Sequence, residues 1–158
     1  MSARAWRAEP AEAETVARLL VEFRDWHGRD WPSENAFLAG VERLIERTDA
    51  EFLLATPDDD SPPGGVCQLR YRFGIWFAAE DCWLEDMFVR DDARGRGVGA
   101  ALLTAAIVRA RDRGCRRIEL DVNERNPEAL ALYERFGFAV STKPPGGGDV
   151  LMRLSLEE

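Results

Sequence analysis

The segment Arg94-Gly95-Arg96-Gly97-Val98-Gly99 constrains this chain more than any other stretch. It follows a strand-like run ending at Val89 and precedes an apolar run from Val98 to Arg113 that Gly114 closes, so it joins a strand to a helix. Glycines let the backbone approach a ligand closely, and the free N–H groups and dipole of a helix start favour an anion. Arg94 and Arg96 add positive charge there, although the chain as a whole carries a net charge of −8.

Three readings of the loop compete: a plain tight turn, a dinucleotide-binding turn, and a pyrophosphate cradle of another kind. Gly95-x-Gly97-x-x-Ala100 fits the dinucleotide form, with Glu119 or Asp121 near the acidic position about 20 residues on. That turn normally follows the first strand of a doubly wound sheet, whereas only 59 residues follow Gly99 here (158 − 99). GxxxxGK[ST] has no match, which removes a P-loop.

The rest of the chain supplies the elements around this junction. A strand is expected over Arg4 to Ala8. Pro10 then opens a helix with Ala13, Val16, Leu20 and Phe23 on one face, fading near Asp25 to Gly28. A second helix is expected from an N-cap at Ser33 to about Thr48, with Phe37, Val41, Leu44 and Ile45 on its apolar face. Strands are predicted over Glu51 to Thr56, Gly65 to Phe73 and Asp81 to Val89, then the helix Val98 to Arg113 and a buried strand Ile118 to Val122. Asn126 as N-cap, Pro127 at the first helical position and Gly137 at the end frame a fourth helix, and strands over Phe138 to Ser141 and Val150 to Leu156 finish the order βααβββαβαββ. The expectation is one α/β domain over residues 1–158, a mixed, mostly antiparallel sheet of about seven strands flanked by four helices.

Composition limits the function classes. The acidic balance disfavours nucleic acid, which needs Lys and Arg against phosphate, and suits a cationic small molecule. Cys67, Cys82 and Cys115 form no CxxC pair and have a single histidine, His27, to help them, so no metal site is expected. No apolar run approaches the roughly 20 residues of a membrane span. Three cysteines and a start without a basic, leader-like stretch suggest a reduced, cytoplasmic setting.

Arg94-x-x-Gly97-x-Gly99 at a strand-to-helix junction resembles the [RQ]xxGx[GA] motif of the GNAT acetyltransferase family. Leu84-Glu85-Asp86-Met87-Phe88-Val89 before it and Asn126-Pro127-x-Ala129-x-x-x-Tyr133-x-x-x-Gly137-Phe138 after it resemble the flanking family elements in order and spacing. The detailed match covers roughly residues 83 to 138. The wording of the Leu84 to Val89 strand is similar to that of diamine and polyamine acetyltransferases within the superfamily.

The resemblance implies an N-acetyltransferase that uses acetyl-CoA as cosubstrate, with no metal. It implies that the fourth and fifth strands splay apart, leaving the backbone of Met87, Phe88 and Val89 to hold the pantetheine arm. Arg94, Gly95, Arg96, Gly97, Val98, Gly99 and Ala100 would hold the pyrophosphate, and Asn126 and Ala129 would contact the same carrier. Tyr133 would stand beside the sulfur as general acid, although its spacing alone equally fits an aromatic packed on a helix face. Glu85 would be the general base and would attract the acceptor ammonium, because an amine near pKa 10 must shed a proton before it attacks. Side chains alternate along a strand, so Glu85 and Asp86 are expected on opposite faces and only one can line a given cleft.

Asp25, Trp26 and Trp31 could wall a cation site or simply pack the domain. The expected partner is a small primary amine such as a polyamine, with a homodimer left open. A protein lysine or N-terminal acceptor and a non-catalytic acyl-CoA sensor are the competing readings.

Overall fold

A computed structural model describes residues 2–157. Seven strands form one sheet in the order β1-β2-β3-β4-β5-β7-β6, where β1 is Arg4–Arg7, β2 Ala50–Thr56, β3 Gly65–Gly74, β4 Ala79–Val89, β5 Arg117–Asn123, β6 Ala139–Thr142 and β7 Asp149–Ser155. Four helices flank it: α1 (Ala13–Trp26), α2 (Glu34–Leu44), α3 (Val98–Asp112) and α4 (Pro127–Arg135). Element number, order and type agree with the reading from the residues.

Differences lie at the ends. Pro10–Glu12 forms a 3-10 turn ahead of α1, because Glu12 reaches back to the Glu9 N–H (3.0 Å) and caps the entry. The second helix stops at Leu44 instead of near Thr48, where the chain turns to deliver Asp49 beside Arg47 and begin β2. Ser33 caps α2 by accepting from the Ala36 N–H (3.1 Å), and Asn126 caps α4 by accepting from the Ala129 N–H (3.2 Å).

Two apolar cores sandwich the sheet. On one side Val16, Leu19, Leu20 and Val41 from the first two helices pack on Phe52, Leu54, Val66 and Phe88. On the other, Val98, Leu102, Leu103 and Ala106 of α3 and Tyr133 of α4 pack on Leu53, Leu69, Leu84, Ile118 and Leu120. β2 is buried along its whole length because both layers cover it.

Among the described residues β4 and β5 are the only adjacent parallel strands, and their pairing is confined to Cys82 with Ile118 and Trp83 with Glu119. Beyond Trp83 the two strands have no register, so the sheet opens as a wedge toward Val89 and Asn123. On its other edge β4 stays paired with β3 as far as Gly65 with Val89. The splay is therefore a property of the β4–β5 side alone.

Candidate active site

The mouth of the wedge is shaped by a bulge in β4. Val66 pairs with Phe88 and Gln68 with Glu85, so the single residue Cys67 faces both Asp86 and Met87. Asp86 takes the extra position with φ +56, a left-handed conformation that aspartate tolerates better than most side chains. The bulge overturns simple alternation. Leu84 and Met87 both pack toward α3 and α4, while Phe88 belongs to the core beneath α1. Asp86 consequently lies close enough to Glu85 for its charge to act there, and close enough to His27, at the end of α1, to feel the charge of that residue.

These two carboxyls share an electrostatic character. Desolvation, then the Asp86 charge, lifts the Glu85 carboxyl above its ordinary value, and Arg70 pulls it partly back. Asp86 is reached by solvent at the bulge, yet the protein crowding it also raises its carboxyl, against an opposing pull from His27. A carboxylate raised in this way is a better proton acceptor near neutral pH than a free one.

On the opposite face Tyr133 projects from α4 into the wedge. It is 6 % exposed, and its hydroxyl donates only to the Met87 sulfur, at 3.6 Å. Burial pushes its ionisation far up, so the phenol keeps its proton. Cys67 lies close enough to affect Tyr133, but burial drives its thiol up as well and leaves it a poor nucleophile.

The glycine loop closes the wide end of the wedge. Gly95 (φ +71) and Gly97 (φ +82) both take left-handed backbone conformations, and Gly97 is the N-cap of α3 with no side chain over the helix start. The first N–H groups of α3 are thus bare, the arrangement that suits a phosphate. Arg94 donates through Nε to the Val89 carbonyl (3.1 Å) and lies over the Trp26 ring (5.7 Å). Arg96 is tied to Asp58 at 2.6 Å, which fastens the 56–65 loop beside the cradle.

The structure therefore brings Glu85, Met87, Phe88, Val89, Tyr133 and the residues from Arg94 to Ala100 around one opening. Asn126 spends its side-chain oxygen on the Ala129 N–H, as the cap of α4. The expected aromatic wall is looser. Asp25 is bound to Arg24 (2.8 Å), Trp26 stacks near Phe23 (6.1 Å) and receives Arg94, and Trp31 is 72 % exposed. Gln68 and Arg70 of β3, which share the Glu85 face, were not found by reading the sequence. They look there like ordinary polar positions in a strand, and only the β3–β4 register sets them opposite Glu85 and Trp83. Among the described residues no group of three or more His, Cys, Asp or Glu side chains is arranged to hold a metal ion.

Residues 17–138 match the model of the acetyltransferase (GNAT) family. A thialysine N-epsilon-acetyltransferase from Sus scrofa is 30% identical over 140 residues, covering 83% of this chain and 79% of that protein. An aminoglycoside N(6')-acetyltransferase type 1 from Stenotrophomonas maltophilia is 30% identical over 135 residues, covering 84% and 83%. A crystal structure from Arthrobacter sp. FB24, assigned as an acetyltransferase, superposes with a TM-score of 0.77 at 31% identity, covering 90% of this chain and 88% of that one. Other curated relatives are longer, and the chain spans 60%, 37% and 56% of their lengths.

Proposed function

This chain belongs to the GNAT acetyltransferase family, and from that premise we propose that it transfers the acetyl group of acetyl-CoA to the primary amine of a small molecule. The observation that carries the proposal is the wedge itself. A sheet otherwise paired throughout comes apart after two residue pairs, directly beside a glycine loop that caps a helix.

The residues suit that cosubstrate. The open edge of β4 from Met87 to Val89 offers backbone groups to a pantetheine arm, and the uncapped start of α3 offers N–H groups to a pyrophosphate. Arg94 and Arg96 are engaged with Val89 and Asp58, so their part is to fix the loop and lend it positive potential. Acetyl-CoA supplies an activated thioester; the chain supplies the proton traffic. Glu85, with its raised carboxyl, takes the proton of the acceptor ammonium, directly or through water. As the C–N bond forms and the C–S bond breaks, Tyr133 donates its proton to the departing thiolate and is restored by the proton that the nitrogen sheds as it becomes an amide. Its buried hydroxyl has only a weak sulfur acceptor to give up.

A small acceptor is favoured by the relatives at 30% identity, which act on thialysine and on aminoglycosides, and by the polyamine-like wording of Leu84 to Val89. The test is thiol release from acetyl-CoA with polyamines, basic amino acids, aminoglycosides and lysine peptides offered in turn. Amine-dependent release with a small acceptor is expected. Tight acetyl-CoA binding with no amine-dependent release would overturn the reading.

A further inference from the structure

Among the described residues, the face of the sheet that carries Glu85 holds two buried side-chain donors without acceptors. Gln68 lies opposite Glu85 on β3 and opposite the core residue Phe52 on β2, and Arg70 lies opposite Trp83. Alternation therefore sets Gln68, Arg70, Trp83 and Glu85 on one face, the side of α1 and α2. Gln68 is 5% exposed, and its Nε2 has no hydrogen-bond acceptor; the Arg70 Nε is buried in the same condition. Two buried, idle donors side by side are unusual, since each costs about 1–3 kcal/mol.

Arg70 stands out among the arginines as well. Every other half-buried arginine of the described residues, from Arg24 on α1 to Arg153 on β7, holds a carboxylate. A shortage of acids is not the reason, because the chain has 29 acidic against 21 basic residues. Asp49 and Glu85 feel the Arg70 charge without bonding to it, and Asp49 is already held by Arg47 at 2.7 and 2.9 Å.

Building on the acetyl-transfer reading, we propose that Arg70 and Gln68 form a carboxylate-binding subsite, so that the acceptor is an aliphatic amine that also bears a carboxylate. Its ammonium lies at Glu85, toward the open mouth, and its carboxylate lies at Arg70, toward the closed junction where Trp83 pairs with Glu119. A guanidinium presents a planar fork that suits two carboxylate oxygens, with the Gln68 amide as a further donor. Two residues along a strand are about 7 Å apart, a reach that the side chain of a basic amino acid spans. A plain diamine would instead set a second ammonium against Arg70, a like-charge contact that selects against it.

The experiment compares L-ornithine with 1,4-diaminobutane and L-lysine with 1,5-diaminopentane, pairs that differ only in the carboxylate. The wild type should favour the amino acid by about 10- to 10²-fold in kcat/KM, expressed through KM. Arg70→Gln should erase that preference while still turning over the diamines, which also reports that the variant is folded; Arg70→Lys should keep part of it. A wild-type preference for the diamines, or an unchanged ratio in Arg70→Gln, would overturn the subsite. Should no amine be turned over, calorimetric titration of L-ornithine and 1,4-diaminobutane into the CoA-saturated protein reads the subsite by itself. Ornithine binding lost in Arg70→Gln would then uphold it although acetyl transfer had failed, and equal binding of the two probes would overturn it.

Discussion

Two sets of buried polar groups sit on opposite faces of the same sheet and are treated in opposite ways. On the α3 side Glu51, 3% exposed, accepts from the Tyr71 hydroxyl (2.8 Å) and from Arg109 Nε (2.8 Å), with Arg7 at 3.5 Å. On the other side Glu85, Gln68 and Arg70 lie close together and share no such bonds. The tyrosines repeat the contrast: the Tyr71 hydroxyl donates a hydrogen bond to a carboxylate, whereas that of Tyr133 has only a thioether. A saturated network holds a fold together, and an unsaturated one is kept ready for something that arrives later.

The sharpest way to break this division is a matched pair of substitutions that delete one hydroxyl each. Tyr133→Phe should lower kcat by about 10²- to 10⁴-fold with acetyl-CoA affinity largely kept, and Tyr71→Phe should leave kcat alone and cost about 1–2 kcal/mol of stability. Steady-state kinetics and thermal melts on both variants decide it, and an unchanged kcat for Tyr133→Phe would remove that residue from the chemistry.

Next in size is Glu51→Ala, which strands Arg109 and the Tyr71 hydroxyl. It should cost about 3–5 kcal/mol in denaturant unfolding. Desolvation alone would raise the Glu51 carboxyl, but the bonds from Arg109 and Tyr71 outweigh it and hold the carboxyl below the ordinary value. Its stabilising contribution is therefore complete above the unfolded pKa and disappears as pH falls through the lower folded one. Urea melts across that acid range should show the loss in the wild type and not in the variant.

Smallest is Glu85→Gln, expected to lower kcat/KM by about 10²-fold. Here the folded carboxyl is raised, so the sign reverses: its contribution to stability is present below the unfolded pKa and lost as pH rises through the folded one. At neutral pH the substitution should not weaken the fold. The wild-type kcat/KM should climb through a pKa above the usual glutamate range, and that limb should vanish in the variant. A limb that persists would assign the base elsewhere, with Asp86 the first alternative.

Most of the architecture was legible because local signals and burial agree. The capped and punctuated fourth helix, the apolar α3 and the glycine loop each announce themselves within a dozen residues. Glu85 and Tyr133 stand out as candidates in the sequence chiefly through their family context. What escaped depends on neighbours distant in sequence. The bulge that sends Met87 rather than Asp86 to the α3 side comes from a two-against-one register with Cys67, and the idle state of Arg70 emerges only once the other half-buried arginines have been assigned their carboxylates. Asp25 offers the reverse lesson, since its neighbour Arg24 takes up the carboxylate that composition alone left free.

The brevity of the β4–β5 contact carries a consequence for how this protein answers its ligand. An unfinished sheet keeps part of its cohesion in reserve, and a guest that lies along the bare edge of β4 serves as a surrogate strand. Cosubstrate saturation should then raise the melting temperature by mass action and slow amide exchange along that edge, stitching the two leaves of the molecule into one.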